Sequence, residues 1–142
     1  MPLTRMEHYL VLTDDLDATR DFYRDVLGMT VGPRPPLGFP GYWLYLGETP
    51  CIHIAEWLTY TAHSNALGIP VTGRAEGTGP FDHVAFNATG YDEMKQELER
   101  RNVGFSVNEP RGVDLRQIFL DDPNGLKIEL NYFGGRDVRS QG

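Results

Sequence analysis

Three histidines and one glutamate, His8, His53, His83 and Glu129, have the residue types of a transition-metal site. Neutral imidazole and carboxylate ligands together accept Fe(II), Ni(II), Mn(II), Co(II) or Zn(II). A catalytic site of this kind keeps one coordination position open. For any one of these histidines alone, a single hydrogen bond in a half-buried strand would be the simpler interpretation. The metal interpretation depends on how the chain relates the four residues to one another.

An internal repeat supplies that relation. The segment HYLVLTDDLDATRDFY, which starts at His8, aligns with HVAFNATGYDEMKQEL, which starts at His83. Extending the alignment places Glu129 opposite His53. Aliphatic residues directly precede and follow both His53 and Glu129, and side chains alternate across a strand. We therefore expect both polar side chains on the face opposite their aliphatic neighbours, where all four residues converge near a pseudo-twofold axis.

Each half of the repeat predicts a β-α-β-β-β module. After the first strand of each half, apolar residues at helical spacing predict one helix from Leu16 to Leu27 and a second that begins at Tyr91. The turn Asp122–Gly125 has strong turn-forming residues and separates the last two strands. The strand-like runs that follow the helices are Met29–Val31, Tyr42–Leu46 and Cys51–Glu56 in the first half, and Val103–Val107, Leu115–Leu120 and Leu126–Tyr132 in the second.

Two such modules in tandem predict an α+β fold with two sheets, whose faces without helices enclose a metal-binding cleft. Within one domain spanning residues 1–142, we expect module one at about 4–57, a linker at about 58–79 and module two at about 80–133. Trp43 and Tyr45 alternate with the leucines of their strand, so we expect these two rings on the cleft face.

Composition narrows the class of function. The net charge of -7 argues against nucleic acid or an anionic membrane as a partner, because both attract clustered positive charge. The single cysteine, Cys51, excludes an internal disulfide and suits a reducing compartment. No apolar run approaches the roughly 18 residues of a membrane span, and the N-terminus has no long apolar signal segment. We expect a cytoplasmic protein that acts on a small molecule.

The motifs HYLVL, FYRDVLGM, DHVAF and FLDDPNGLKIEL, together with the paired βαβββ layout, resemble the vicinal oxygen chelate superfamily. That superfamily includes glyoxalase I, methylmalonyl-CoA epimerase, type I extradiol dioxygenases, fosfomycin-resistance transferases and bleomycin-resistance proteins. The resemblance covers about residues 4–133. It implies the vicinal oxygen chelate fold, a divalent metal held by His8, His83 and Glu129, and His53 at a variable fourth ligand position. Because relatives are usually dimers, it also implies a homodimer.

The resemblance leaves several chemistries open. A glyoxalase-like lyase or isomerase needs four ligands and a base, and Glu129 or His53 would move the proton. His53 stands where glyoxalase I carries an acid, which leaves one carboxylate instead of two. An extradiol ring-cleaving dioxygenase fits the two-histidine, one-carboxylate set. However, Phe119 replaces the tyrosine of its signature, and its upstream histidine is missing.

Two further classes stay as alternatives. A fosfomycin-type transferase would need cations for a phosphonate, and Arg111 and Arg116 are the candidates. A protein that only sequesters a drug, as in bleomycin resistance, generally lacks the metal residues. We therefore predict a metal-dependent lyase or isomerase that acts on a small carbonyl or vicinal-oxygen substrate, with the ring-cleaving dioxygenase as the next candidate.

Overall fold

The fold is two four-stranded mixed sheets, each with its own helix. The computed structural model describes residues 2–74 and 76–135. The chain divides into two compact units, Met1–Arg74 and Ala75–Gly142, and each unit contains one sheet. The predicted α+β class with tandem βαβββ modules is confirmed. No helix in these described ranges has the length and apolar character needed to cross a bilayer.

The first unit is a βαβββ module followed by one more helix. The elements are β1 Tyr9–Thr13, α1 Leu16–Asp21, a π-helical turn Phe22–Val26, β2 Thr30–Gly32, β3 Gly41–Leu46, β4 Thr49–Glu56 and α2 Trp57–Leu67. The sheet has the order β1-β4-β3-β2, in which β1 and β4 are parallel and the other neighbours are antiparallel. Asp15 begins α1 by accepting a hydrogen bond from the Ala18 amide at 3.0 Å.

The second unit repeats this topology with the elements β5 His83–Asn87, α3 Tyr91–Arg100, β6 Ser106–Asn108, β7 Leu115–Asp121 and β8 Lys127–Phe133. Its sheet has the order β5-β8-β7-β6, with a parallel β5–β8 pair. The strand predicted to begin at Val103 is β6, and it begins three residues later. The Val103 amide donates to the Leu98 carbonyl at 2.9 Å, because this segment ends α3.

Aliphatic residues on alternate strand positions form the core of each unit. In the first, Leu44, Ile52 and Ile54 are buried, and α1 packs against β3 and β4. In the second, Ile118 and Ile128 are fully buried. The alternation leaves His53 and Glu129 on the other face of their sheets, which is here called the site face. The fold thus positions both polar residues by burying their neighbours.

The turn before β8 depends on one buried carboxylate. Asp122 Oδ1 accepts hydrogen bonds from the Asn124 amide at 2.8 Å and the Leu126 amide at 2.9 Å. We expect Asp122→Ala to lower the free energy of unfolding by about 2 kcal/mol, because the buried Leu126 amide and the part-buried Asn124 amide both lose their carboxylate acceptor. Asp121→Ala, at the exposed neighbouring position, should change it by less than about 0.5 kcal/mol. Equal losses in chemical denaturation would contradict this account of the turn.

Candidate metal site

In the second unit, His83 and Glu129 meet on the site face. Glu129 of β8 pairs in register with Ala85 of β5, and His83 lies two residues before Ala85. The Nε2 atom of His83 is 3.6 Å from Oε1 of Glu129. Two ligands that each lie about 2.0–2.2 Å from one ion can be separated by up to about 4.3 Å. This pair of donor atoms therefore fits a shared divalent metal.

A second carboxylate orients the His83 ring. Oδ2 of Asp82 lies 2.7 Å from Nδ1 of His83 and 3.0 Å from Nζ of Lys127. The hydrogen bonds from His83 and Lys127 hold the pKa of Asp82 below its usual value, so this carboxylate is ionised at neutral pH and only accepts. Nδ1 of His83 is therefore the donor, and in the neutral ring Nε2 keeps its lone pair for a metal.

The first unit repeats this arrangement at His8. Oε1 of Glu7 lies 2.9 Å from Nδ1 of His8, and Glu7 directly precedes His8 as Asp82 precedes His83. Neither acidic residue was among the predicted site residues, although the repeat aligns them. Carboxylate partners on the distal nitrogen are the usual support of metal-binding histidines. The donor set of both units thus suits a metal held through Nε2 atoms.

His53 lies in a stack of three rings on the site face of the first sheet. Its ring is parallel to that of His8, with 3.7 Å between centroids, and to that of Trp43, with 4.1 Å. Nε2 of His53 is 3.0 Å from the Pro50 carbonyl oxygen, so Nε2 donates and Nδ1 keeps the lone pair. Burial first, and then His8, lower the pKa of His53 below its usual value, which favours the neutral ring.

The stacked rings of His8 and His53 present their lone pairs in different planes. A ring nitrogen presents its lone pair in the ring plane, and the planes of His8 and His53 differ by only 15°. Their lone pairs therefore lie in two nearly parallel planes and do not aim at one point between the rings. In this arrangement one ring can bind a metal while the other stays beside it as a proton carrier.

The four predicted residues are thus brought together as two pairs, His8 with His53 and His83 with Glu129. Across residues 2–74 and 76–135, no group of three or more His, Cys, Asp or Glu side chains is gathered as a metal cluster. The site as predicted draws on both units, so the four-residue ligand set stays a prediction.

Other predicted residues have different positions. Trp43 lies in register with His53, and Phe119 lies in register with Glu129, so these two rings occupy equivalent places in the repeat. Arg116 lies on the opposite face of its sheet from Glu129, with its guanidinium carbon 4.3 Å from the centre of the Tyr91 ring. Arg116, one of the two candidate cations for a phosphonate, therefore does not lie on the face that carries Glu129. The strand alternation that places Glu129 on one face places Arg116 on the other.

The fourth histidine belongs to a separate aromatic cluster. His63 is part of α2, and its ring lies 5.0 Å from that of Phe39 in the proline-rich loop between β2 and β3. Tyr60 contacts the same ring edge-to-face at 5.2 Å, and Arg34 donates to the Phe39 carbonyl at 2.8 Å. This cluster attaches the loop to α2, and we assign His63 no role in metal binding.

Comparison with known proteins agrees with this fold and with the resemblance in sequence. A family model described as the Glyoxalase/Bleomycin resistance protein/Dioxygenase superfamily matches residues 5–130. The chain is 28% identical to "Glyoxylase I 4" of Arabidopsis thaliana over 132 residues, which cover 90% of this chain and 70% of that protein. It is 28% identical to "Metallothiol transferase FosB" of Staphylococcus epidermidis over 134 residues, which cover 92% and 83% of the two chains.

Among solved structures, a lactoylglutathione lyase from Agrobacterium tumefaciens superposes with a TM-score of 0.69 at 21% identity, covering 92% of this chain and 95% of that one. A fosfomycin resistance protein, FosX, from Listeria monocytogenes superposes with a TM-score of 0.67 at 17% identity, covering 96% and 98%. At these identities the structures support the fold. The family model, however, spans nearly the whole chain, and the protein belongs to the Glyoxalase/Bleomycin resistance protein/Dioxygenase superfamily.

Proposed function

We propose that the protein is a metal-dependent lyase or isomerase of the glyoxalase type, acting on a small substrate with a carbonyl group or two neighbouring oxygen atoms. His8, His83 and Glu129 are the metal ligands, one fewer than the four expected from the glyoxalase resemblance, and His53 is the proton carrier instead of the fourth ligand. The observation that carries the proposal is the position of His53, a neutral imidazole stacked on the proposed ligand His8 with Nδ1 unprotonated.

The positions of the donor atoms support this ligand assignment. Nε2 of His8 and of His83 keep their lone pairs, because Glu7 and Asp82 bind the two Nδ1 atoms. Oε1 of Glu129 faces Nε2 of His83. A divalent ion of Fe, Ni, Mn, Co or Zn in this set would polarise the oxygens of the substrate as a Lewis acid. Two imidazoles and one carboxylate leave coordination positions for those oxygens.

His53 supplies the base that the chemistry needs. Nδ1 can accept a proton from a carbon next to a polarised carbonyl and return it to the neighbouring atom. The Pro50 carbonyl holds the other ring nitrogen, and the flat stack with Trp43 fixes the plane of the ring. A base whose pKa lies below its usual value is available in its neutral form at neutral pH.

Two observations weigh against the alternative chemistries. Phe119 lies opposite Glu129 in register and has no hydroxyl group for the proton transfers of ring cleavage. Arg116 packs on Tyr91 on the other face of the sheet, away from Glu129, so it offers no cation to a phosphonate there. The likeness to FosB nevertheless makes thiol transfer the second reaction to assay.

Metal reconstitution of the purified protein tests the proposal. Metal-free protein is loaded separately with Fe(II), Ni(II), Mn(II), Co(II) and Zn(II), and unloaded protein is the control. We expect metal-dependent isomerisation of hemithioacetals, or solvent-deuterium exchange at C2 of 2-substituted acyl thioesters, because both reactions need a Lewis acid and one base.

Each other outcome contradicts the proposal in its own way. Oxygen uptake with a catechol and a ring-cleavage chromophore would identify a dioxygenase. A thiol adduct of fosfomycin without proton exchange would identify a transferase. Tight binding of an aromatic drug with neither metal uptake nor turnover would identify a sequestering protein.

A further inference from the structure

Three side-chain amides form a chain across the site face of the second sheet. Nδ2 of Asn108 donates to Oε1 of Gln117 at 2.8 Å, and Nε2 of Gln117 donates to Oδ1 of Asn131 at 3.0 Å. Nδ2 of Asn131 then donates to Oε2 of Glu129 at 2.8 Å. The chain crosses β6, β7 and β8, because Asn108 pairs in register with Gln117 and Gln117 with Asn131.

The direction of this chain is set at Glu129. Oε2 of Glu129 accepts the hydrogen bond from Asn131, so Asn131 turns its NH₂ group to Glu129 and its oxygen to Gln117. Gln117 must in turn present its NH₂ group to Asn131 and its oxygen to Asn108. Asn131 and Gln117 therefore each have one orientation that satisfies both of their neighbours, and the row of amides ends at one carboxylate.

The chain makes the two oxygens of Glu129 different. Oε2 is bound by Asn131, whereas Oε1 lies 3.6 Å from Nε2 of His83. The Glu129 side chain is 15% exposed, so water competes little for Oε2. A glutamate on a strand normally samples several rotamers, and ordering it opposes metal binding. Because Asn131 already holds Oε2, the entropy cost of ordering the Glu129 side chain does not fall on metal binding.

The fold itself does not require these amides. In the first unit, Ala55 and Gly41 pair in register at the places that correspond to Asn131 and Gln117. The counterpart of Glu129 there is His53, which the Trp43 ring and the Pro50 carbonyl hold instead. The same sheet topology thus forms without an amide chain, and of the two sheets it is the one with the Glu129 carboxylate that has the chain.

We propose that Asn131, supported by Gln117, is a positioning residue that holds Oε2 of Glu129 and presents Oε1 alone to the metal. The expected effect on metal affinity rests on the proposed function. The orientation of the Glu129 side chain does not, and it can be measured without a metal.

The first measurement is the rotamer distribution of Glu129 in the full-length, metal-free protein. Three-bond carbon couplings on ¹³C-labelled glutamate should report one rotamer in wild type and averaging in Asn131→Leu. Asn131→Asp keeps the acceptor for Gln117 but removes the donor to Glu129, so averaging is expected there also. Asn87→Leu, at the position paired in register with Asn131 on β5, is the matched control and should retain one rotamer.

The second measurement is the dissociation constant for Co(II) or Ni(II) by competition with a chromogenic chelator. We expect Asn131→Leu to weaken binding by about 10–100-fold, the usual cost of losing a partner of a metal ligand. Gln117→Leu should cause a smaller loss, and no further loss in the Asn131→Leu background, because it acts only through Asn131. Thermal unfolding of each variant checks that it is folded.

The outcomes separate this proposal from the proposed function. Averaging of Glu129 in wild type, or a single rotamer in both Asn131 variants, overturns the positioning role whatever the metal content. A single rotamer in wild type that is lost in both variants supports the role, and a wild type that then binds no metal overturns the proposed function instead. Additive effects of Gln117→Leu and Asn131→Leu on metal affinity would show that the amides do not act as one chain.

Discussion

Glu129→Gln should remove the metal from the protein and abolish the proposed turnover. The neutral amide keeps the shape of the side chain and can still accept the hydrogen bond from Asn131, but its oxygen is a much weaker ligand for a divalent ion. We expect metal affinity to fall by more than about 100-fold, beyond the usual cost of losing a partner of a ligand. Elemental analysis after reconstitution and chelator competition measure the loss.

Glu109→Gln is the matched control, because it makes the same change of charge at an exposed position in the same unit. It should bind as much metal as wild type. Equal metal contents in wild type and Glu129→Gln would contradict the ligand role of Glu129 and the proposed metal site with it.

His53→Phe should separate proton transfer from metal binding. Phenylalanine can still stack between His8 and Trp43, but it has no nitrogen to accept a proton. We expect turnover to fall by about 10²–10⁴-fold, the usual contribution of a general base, while metal affinity changes by less than about threefold. Comparing kcat with the dissociation constant of the metal in the same preparation makes the distinction.

If His53 were instead the fourth metal ligand, His53→Phe would weaken metal binding and turnover together. Trp43→Phe is the control, because it keeps an aromatic ring beside His53 and leaves both nitrogens in place. The pH profile adds a second criterion. The pKa of His53 lies below its usual value of about 6.5, so the acidic limb of kcat/KM should lie below about pH 6.5 and be absent from the residual activity of His53→Phe.

Local pattern was enough to predict the modules. The alternation of aliphatic residues around His53 and Glu129 predicted the face on which each lies, and the register Leu10–His53 and Ala85–Glu129 reproduces the repeat. The prediction of the faces succeeded because burial of one strand face requires an apolar residue at every second position, and this period of two is visible in the sequence.

Apolar spacing did not predict the form of the first helix correctly. Apolar spacing predicted one helix from Leu16 to Leu27, but the α-helix ends at Asp21 and a π-helical turn follows. The Leu27 amide bonds the Phe22 carbonyl at 3.2 Å, five residues back, and Tyr23 is fully buried. A π-helical turn holds one residue more than an α-helical turn, and the apolar spacing of the sequence does not mark where that extra residue is inserted.

Sequence alone determined the hypothesis of a metal site. It follows from the residue types and repeat positions of His8, His53, His83 and Glu129. Tertiary structure decided which partners these side chains contact. It placed Asn131 on one oxygen of Glu129 and stacked His53 flat against Trp43. The physical reason is scale. Strand faces follow from hydrophobic alternation over many residues, whereas hydrogen bonds and ring stacks depend on rotamers and cross-strand register to within a fraction of an ångström.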